Sequence, residues 1–225
     1  MIMSVNDKRI EYIQIATRIL EEEGIDALSI RRVAKEAGCT SAVLYRHFEN
    51  KDHLLMLASV KFLIPYIQEL MFQSSRTDIS SIQIDLILWK KFIDEAFHNR
   101  VYYDQLFFGD QKEMLSECIY EYYSLFPDEN EKFDGYTASI VMNSNLHERE
   151  LIRLRRAANE KLITLDNAKL LSRLTTAVFN GMFKQVPAMK YDEVSLQMMA
   201  DECYDLIYQL FRRMVKPGTK LDIEE

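Results

Sequence analysis

The sequence predicts an all-α protein for three reasons. Six glycines and four prolines are few for 225 residues, and a sheet of turn-linked strands would need more of them. Apolar residues recur at helical spacing along most of the chain. The hydrophobic fraction of 48% can fill the core of one large domain, or of a small domain joined to a larger one.

The charge is unevenly distributed along the chain. A formal net charge of −7 argues against a nucleic-acid partner, because such partners are bound largely through Lys and Arg side chains that neutralise phosphates. Residues 29–51 nevertheless contain five Lys and Arg residues and only two acidic residues. The sequence therefore predicts a locally basic face on an acidic protein.

The sequence shows no sign of membrane insertion, secretion or metal binding. No run of residues approaches the roughly 20 apolar positions of a membrane span, and the first residues contain no signal-peptide block. Cys39, Cys118 and Cys203 are far apart and lack the spacing of a metal site. We therefore expect a cytoplasmic protein with reduced, packed thiols and without a bound metal or cofactor.

Two short helices near the amino terminus are predicted in the arrangement of a helix-turn-helix. A first helix over 7–23 precedes them. They are expected over 29–35 and 40–47, and each begins at a hydroxyl-bearing cap residue. Gly38 lies between them and permits the tight turn that joins such helices.

Further helices are expected over the rest of the chain. The fourth begins at Asn50 and continues towards residue 70, with Pro65 as a predicted kink. The apolar pattern then predicts a helix over 79–97, two short ones within 102–126, a long segment over 131–162, and two closing helices over 166–186 and 192–215. This layout indicates a helix-turn-helix domain over 1–59 and a larger helical domain over 60–225.

One ordered motif extends from Ile15 to Leu55. Its parts are Ile15-Ala16, Glu23-Gly24, Leu28-Ser29-Ile30-Arg31, Val33-Ala34, Ala37-Gly38, Leu44-Tyr45-Arg46-His47-Phe48, Asn50-Lys51 and Leu54-Leu55. In order and spacing over about forty residues, this motif closely resembles the DNA-binding domain of the TetR (tetracycline repressor) family. The remainder of the chain resembles the family only in its helical layout. Cys39 and Ala42 depart from residues common in the family, which affects the expected base preference and not the fold.

The resemblance implies DNA binding with a role for each residue. The helix after Thr40 corresponds to the recognition helix, so Ser41, Ala42 and Val43 would face base edges in the major groove. Arg31 corresponds to a position that can reach a guanine. Positions that contact the phosphate backbone are matched by Ser29, Thr40, Tyr45, His47 and Lys51, and Arg46 is expected at the backbone or at the groove edge.

These residues also have ordinary structural interpretations. Ser29 and Thr40 can act only as helix caps, His47 can be a packed core residue, and Tyr45 can belong to an interface. As one ordered set on a basic segment, however, the residues favour DNA binding.

The two closing helices carry apolar residues on more than one side. This pattern favours an interface between two chains, with packing inside one chain as the alternative. The predicted interface residues are Leu170, Leu174, Ala177 and Gly181 on one helix, and Leu196, Met199, Cys203, Leu206 and Leu210 on the other. A two-fold homodimer would place two recognition helices roughly 34–36 Å apart on a near-palindromic operator.

The resemblance further implies that the second domain senses a ligand. The candidate pocket residues are Trp89, Phe92, Tyr103, Phe107, Met142 and Met182, which could enclose a small apolar or aromatic effector. A plain hydrophobic core explains the same residues. The basic run Arg149, Arg153, Arg155 and Arg156 is interpreted as a solvated helix face paired with acidic residues, with an anionic ligand as the alternative.

The sequence therefore predicts a ligand-responsive transcriptional regulator, most simply a repressor. An enzyme is not predicted, because the chain lacks a phosphate loop, a nucleophile elbow and a His-Glu-x-x-His motif, and its four histidines are scattered. No catalytic residue is assigned. A helical scaffold without a DNA partner would explain the closing helices but not the ordered motif over 29–51.

Overall fold

The computed structural model describes residues 5–127, 133–186 and 192–222. Within these ranges the regular structure is helical and contains no strand, which confirms the all-α class. The α-helices along the described chain are α1 (Val5–Glu23), α2 (Ile30–Glu36), α3 (Ser41–Leu44), α4 (Lys51–Ser59), α5 (Ile64–Ser74), α6 (Ser81–His98), α7 (Arg100–Phe107), α8 (Leu115–Leu125), α9 (Gly135–Val141), α10 (Leu146–Asn159), α11 (Leu165–Phe183) and α12 (Glu193–Met214). Short 3₁₀ helices lie at Ile25–Ala27, Val60–Leu63 and Lys112–Met114. The predicted segment start at residue 131 lies outside the described residues.

The chain divides into two compact units. The first contains Met1–Leu63 and Val101–Lys132, and the second contains Ile64–Arg100 and Phe133–Glu225. The sequence predicted residues 101–132 to belong to the second domain. They belong to the first unit because α8 packs on α1 and α4.

A polar contact supplements the apolar core that holds α8 in the first unit. The carboxylate of Glu121 on α8 pairs with Arg9 of α1, and its Oε2 lies 3.5 Å from Nε2 of His53 on α4. Burial alone would raise the pKa of Glu121, but the hydrogen bond from His53 and the charge of Arg9 lower it. Three helices of the unit are therefore joined at this one side chain.

The predicted interruption near Pro65 is confirmed. α4 ends at Ser59, a 3₁₀ turn follows, and α5 begins at Ile64. Proline lacks an N–H and its ring clashes with the carbonyl four residues earlier, so one unbroken α-helix cannot form here. By length and composition Lys51–Ser74 could cross a membrane, but 67% of its most apolar part is buried inside the protein, as in a core helix.

The long segment predicted over 131–162 contains two helices, because the chain is irregular at 143–145 between α9 and α10. The Asn145 side chain caps α10 by accepting hydrogen bonds from the N–H groups of His147 at 2.9 Å and Glu148 at 3.3 Å. Arg149, one turn further on, donates to the carbonyl of Val141 at 2.6 Å. The Asn145 cap thus fixes the start of α10, and the Arg149 guanidinium binds a carbonyl at the end of α9, so the irregular backbone between the two helices is held at both ends.

A cluster of buried charged side chains connects α6 and α10 in the second unit. Arg153 donates hydrogen bonds to the carboxylates of Asp85 and Glu150, and to the Tyr66 hydroxyl at 3.2 Å. Trp89 donates from Nε1 to Oε1 of Glu150 at 2.8 Å. Asp85, Glu150 and Arg153 are at most 7% exposed. The guanidinium therefore has hydrogen-bond acceptors on two carboxyl groups and a hydroxyl inside the protein, as a buried ion requires.

The basic run on α10 is not the solvated face that the sequence predicted. Arg149 and Arg153 are buried, Arg156 is half-buried, and Arg155 is exposed. Residues four positions apart lie on the same face of a helix, and α10 packs against α6. The prediction was wrong because helical spacing does not reveal a carboxylate partner that is 68 positions away in the sequence.

Burial disfavours ionisation of both carboxyl groups in the cluster. It raises the pKa of Asp85, and it raises the pKa of Glu150 to about 8 although Arg153 attracts the charged form. In an unfolded chain the pKa of glutamate is about 4.3. Folding therefore takes up a proton at Glu150 between these two pH values, and the stability of the fold falls as the pH rises through this interval.

Replacing Glu150 by Gln removes this titration. We expect the free energy of unfolding to fall more steeply with rising pH in the native protein than in Glu150→Gln, by on the order of a few kcal/mol between about pH 5 and pH 8. Urea unfolding at several pH values measures both slopes, and Glu148→Gln on the same helix is the matched loss of a carboxylate. Parallel slopes for the native protein and Glu150→Gln would contradict this titration.

Candidate nucleic-acid interface

The interface begins with α2, whose start is fixed by Ser29. The Ser29 Oγ accepts a hydrogen bond from the backbone N–H of Arg32 at 3.2 Å, so the predicted cap is present. Arg31 lies on the exposed side of the helix. Its buried side consists of Ile30, Val33 and Ala34. One face of α2 is thus anchored in the core while the other is free to meet a partner.

A tight turn joins α2 to α3. Gly38 has φ +66°, a left-handed backbone that favours glycine because it has no Cβ. The Gly38 N–H donates to the carbonyl of Lys35 at 3.2 Å, and the Cys39 N–H donates to that of Ala34 at 2.9 Å. These bonds satisfy carbonyls at the end of α2, so the chain enters α3 in a fixed direction.

The recognition helix is shorter than the sequence predicted. α3 contains Ser41–Leu44 and is followed by turns over 45–47, where helix was expected. Thr40 occupies the cap position, but its side chain makes no capping hydrogen bond. A helix of this length is not stable in isolation. It is held by burial of Leu44 and Phe48, which are 0% and 1% exposed.

The ten predicted DNA-contacting residues all lie in the first unit, between the cap of α2 and the start of α4. The exposed members are Ser29, Arg31, Thr40, Ala42, Tyr45, Arg46 and Lys51, and the half-buried members are Ser41, Val43 and His47. The ring of Tyr45 is 57% exposed. A tyrosine offers both an apolar ring and a hydroxyl, which suits contact with a partner at this surface.

Acidic neighbours neutralise one arginine at this surface and leave other cations available. Arg32 pairs with Glu23 and, at 3.0 Å, with Glu36, and these hydrogen bonds raise its pKa. Among the described residues no carboxylate forms an ion pair with Arg31, Arg46 or Lys51, the other cations of the predicted DNA-contacting set. They can therefore approach phosphates or bases without first breaking a salt bridge.

His47 is packed behind the exposed surface. Its ring meets that of Tyr12 edge-on, with 5.3 Å between the ring centroids, and its buried Nδ1 has no hydrogen-bond partner. Burial, followed by the charges of Arg9, Lys8 and Arg46, lowers the pKa of His47, so the ring is neutral at about pH 7. Packing against Tyr12 therefore accounts for the position of the His47 ring. The contact of His47 with a DNA phosphate stays a prediction.

Two residues that position the interface were not predicted from the sequence. Tyr12 supports His47 from α1, and Arg32 ties α2 to the end of α1 through Glu23. The available signal for the second contact is the acidic run at 21–23. Its partner depends on how α1 and α2 pack, which spacing along one helix does not show.

The predicted pocket residues are divided between the two units. Tyr103 and Phe107 of α7 belong to the first unit, with 5.9 Å between their ring centroids. Trp89 and Phe92 of α6 belong to the second unit, where they line a small cavity. The two methionines of the set, Met142 and Met182, are half-buried at or near the ends of α9 and α11. A common role for the six residues in ligand binding stays a prediction.

The predicted dimer residues occupy the surface of α11 and α12 with one exception. Leu170, Ala177, Gly181 and Leu206 are exposed, and Leu174, Leu196, Met199 and Leu210 are half-buried. Cys203 is 0% exposed, because it lies with Ala200 and Ile207 on the side of α12 that packs within its own unit. Its assignment to the interface is therefore wrong.

The first unit thus contains a helix-turn-helix with an exposed second helix. A capped helix that carries Arg31, a glycine turn and a short second helix followed by Arg46 and Lys51 form the arrangement by which a helix-turn-helix reads the major groove of DNA. Its fold and surface define a DNA-binding protein of the helix-turn-helix class.

The sequence comparisons agree with this class and show which family the helix-turn-helix segment matches. The family model described as "Bacterial regulatory proteins, tetR family" matches residues 13–56. An HTH-type transcriptional regulator of Staphylococcus aureus strain MRSA252 is 26% identical over 152 residues, which cover 62% of this chain and 77% of the relative. One from the bovine strain RF122 / ET3-1 is 28% identical over 153 residues with the same coverage.

The structural comparisons extend the likeness of fold to most of the chain. A TetR transcription regulator from Haloarcula marismortui has a TM-score of 0.55 and 17% identity, and the match covers 93% of this chain and 99% of that one. A protein of unknown function from Rhodococcus sp. RHA1 has a TM-score of 0.59 and 15% identity, with 92% and 95% coverage. The match of residues 13–56 and the transcriptional regulators among the relatives support a TetR-family DNA-binding regulator, and the solved structures show the same fold.

Arg31 is the residue through which this surface is expected to select a base. Replacing it by Ala should weaken binding to a selected DNA site by roughly 1–3 kcal/mol, because an accessible guanidinium can bind a guanine through two hydrogen bonds. The melting temperature should not change, since Arg31 is exposed. Fluorescence anisotropy with a duplex selected from a random pool, and with its scrambled version, measures the effect.

Arg31→Lys is the matched control, because it keeps the charge and removes the fork of donors. It should lose discrimination while retaining affinity for the scrambled duplex. Equal losses on both duplexes in Arg31→Ala would instead assign Arg31 to the phosphate backbone.

Proposed function

We propose that this regulator is a homodimeric cytoplasmic repressor that a small effector releases from a near-palindromic operator. The observation that carries the proposal is a helix-turn-helix whose predicted DNA-facing cations are exposed while Leu44 and Phe48 are buried. A helical scaffold would have no use for accessible, unpaired cations at this surface, whereas a DNA-binding protein needs them.

In this proposal the interface residues divide into those that read bases and those that hold the backbone. Ser41, Ala42 and Val43 face base edges. The phosphate contacts are assigned to Ser29, Thr40, Tyr45 and Lys51, with Arg46 at the groove edge. The second group fixes the register of the protein on DNA and the first group, with Arg31, selects the sequence.

The homodimer is supported by apolar surface on the two closing helices. Leu170 of α11 is 50% exposed and Leu206 of α12 is 45% exposed. The two helices pack against each other, and both carry exposed apolar residues. Such a surface, rather than single scattered residues, is typical of a protein interface. A second copy of the chain would cover it through a two-fold axis.

The proposed effector is a small apolar or aromatic molecule bound in the second unit. Trp89 and Phe92 supply aromatic surface there. The chain passes from one unit to the next within Lys51–Ser74, which starts directly after the interface. Displacement of this segment would alter the distance between the two recognition helices of the dimer. An effector can cause this displacement only if it binds the displaced and the original arrangement with unequal affinity.

Loss of two proposed phosphate contacts tests DNA binding. The Tyr45→Ala/Lys51→Ala variant should lose the specific mobility shift, and Lys51→Ala alone should reduce the slope of log affinity against log salt by about one. The matched control is Tyr120→Ala/Lys112→Ala, since both residues are exposed in the same unit outside the interface. Binding that survives in the first variant, or disappears equally in the second, would favour the scaffold.

A charge placed on the proposed dimer surface tests the assembly. Leu206→Glu should yield monomers by light scattering and lose affinity for a two-half-site operator, because a carboxylate buried in an apolar interface is costly. Phe72→Glu is the control, since Phe72 is 63% exposed on α5. A dimer that persists unchanged in Leu206→Glu would show that the interface lies elsewhere.

A further inference from the structure

The ring of Phe48, which anchors the recognition segment (residues 41–48), contacts side chains of two other helices. The guanidinium of Arg9 on α1 lies over its face, with 5.3 Å from Cζ to the ring centroid. The ring of His53 on α4 meets it edge-on, with 6.0 Å between the centroids. Phe48 is 1% exposed, so a shift of Arg9 or His53 is transmitted to the ring by direct contact in a close-packed interior.

Both of these side chains are held by one carboxylate from outside the helix-turn-helix. Glu121 of α8 pairs with Arg9 through Oε1, and its Oε2 lies 3.5 Å from Nε2 of His53. The backbone N–H of Glu49 donates to Nδ1 of His53 at 3.4 Å. Since Nδ1 accepts this bond, the proton of the neutral imidazole lies on Nε2, the nitrogen beside Glu121. A single side chain thus bridges α1 and α4 around Phe48.

The contact with His53 also reaches the start of α4. The His53 N–H donates to the Asn50 cap at 2.8 Å, and Lys51 lies in the same turn. The orientation of this turn decides where Lys51 meets DNA, because phosphate contacts fix the register of a protein on the duplex. A displacement of His53 would therefore move Lys51 and Phe48 together.

From this arrangement we infer that Glu121 is a positioning residue for DNA recognition, which acts without touching DNA. It holds the recognition segment and the first turn of α4 in the relative arrangement in which both contact one duplex. The inference rests on the proposed function, which assigns Lys51 to the phosphate backbone. It adds a residue of α8 to a site otherwise built from residues 29–51.

The charge of Glu121 makes this role separable from electrostatic attraction to DNA. Burial opposes ionisation of the carboxyl, but His53 and Arg9 lower its pKa, so the side chain is charged at about pH 7. A negative charge in the DNA-binding unit repels phosphates. By this effect alone its removal would strengthen DNA binding, so a loss of affinity in a folded variant indicates a change in geometry.

We would replace Glu121 by Gln in the full-length protein and measure fluorescence anisotropy with the selected duplex and its scrambled version. Binding to the selected duplex should weaken roughly tenfold, because α1 and α4 lose their common anchor. Binding to the scrambled duplex should be unchanged or slightly tighter, since it depends on charge and not on register. The matched control is Glu117→Gln, which removes the same charge from an exposed position of α8 and should weaken binding to neither duplex.

A double-mutant cycle with Lys51→Ala distinguishes positioning from a general loss of stability. If Glu121 acts through the first turn of α4, part of its effect depends on Lys51. Glu121→Gln should then weaken binding to the selected duplex at most about threefold in the Lys51→Ala background. A general loss of stability would weaken binding by the same factor in both backgrounds. Circular dichroism checks that each variant is folded.

Glu121→Asp keeps the charge and shortens the reach of the side chain, and it is the second variant where Glu121→Gln does not fold. It should weaken binding to the selected duplex about threefold and leave binding to the scrambled duplex unchanged. Native affinity for the selected duplex in the folded variant, equal losses on both duplexes, or additive effects in the cycle would overturn the inference.

Binding by the native protein separates this inference from the proposed function. Failure of the native protein to bind any duplex from the random pool refutes DNA binding, and the positioning role falls with it. A specific native complex that a folded Glu121→Gln forms equally well overturns the positioning role alone, while the DNA-binding regulator stands.

Discussion

The DNA-binding surface depends on the burial of Leu44 and Phe48. The recognition helix α3 has four residues, and a helix of that length does not repay its nucleation cost in water. Its geometry is therefore set by two side chains that anchor it in the core of the first unit. The residues between them, Tyr45 to His47, form turns whose direction follows from those anchors. The proposed preference for a DNA sequence and the stability of the helix thus involve different residues of one short segment. The exposed positions can therefore vary without loss of the fold.

Local ion pairing explains how an acidic protein can present a basic surface. Arg32 is held by Glu23 and Glu36, and exposed pairs of this kind contribute little to stability. Their effect is on geometry, because they tie α2 to the end of α1. Arg31 is left exposed beside the neutralised Arg32. The net charge of −7 describes the whole chain, whereas a DNA phosphate within a Debye length of α2 meets mainly the nearby cations.

The sequence allowed prediction of features that depend on neighbouring residues, and not of those that depend on distant ones. Local hydrogen bonding and sterics determine where two helices begin, at Ser29 and Asn50, and why the helix is interrupted before Pro65. All three predicted features are present. Burial of Arg153 depends on Asp85, a residue of another helix. The grouping of α8 with the first unit likewise depends on packing against α1 and α4. Helical periodicity identifies an apolar face but does not identify the helix that covers it.

The buried ionic cluster of the second unit is hard to explain by stability alone. Replacing buried ion pairs by well-packed apolar residues is often neutral or stabilising, because desolvation of the charges offsets much of their attraction. Burial raises the pKa of Glu150 even though Arg153 attracts the charged form, which is the direction that desolvation gives. A core selected only for stability would therefore favour apolar residues at 85, 150 and 153.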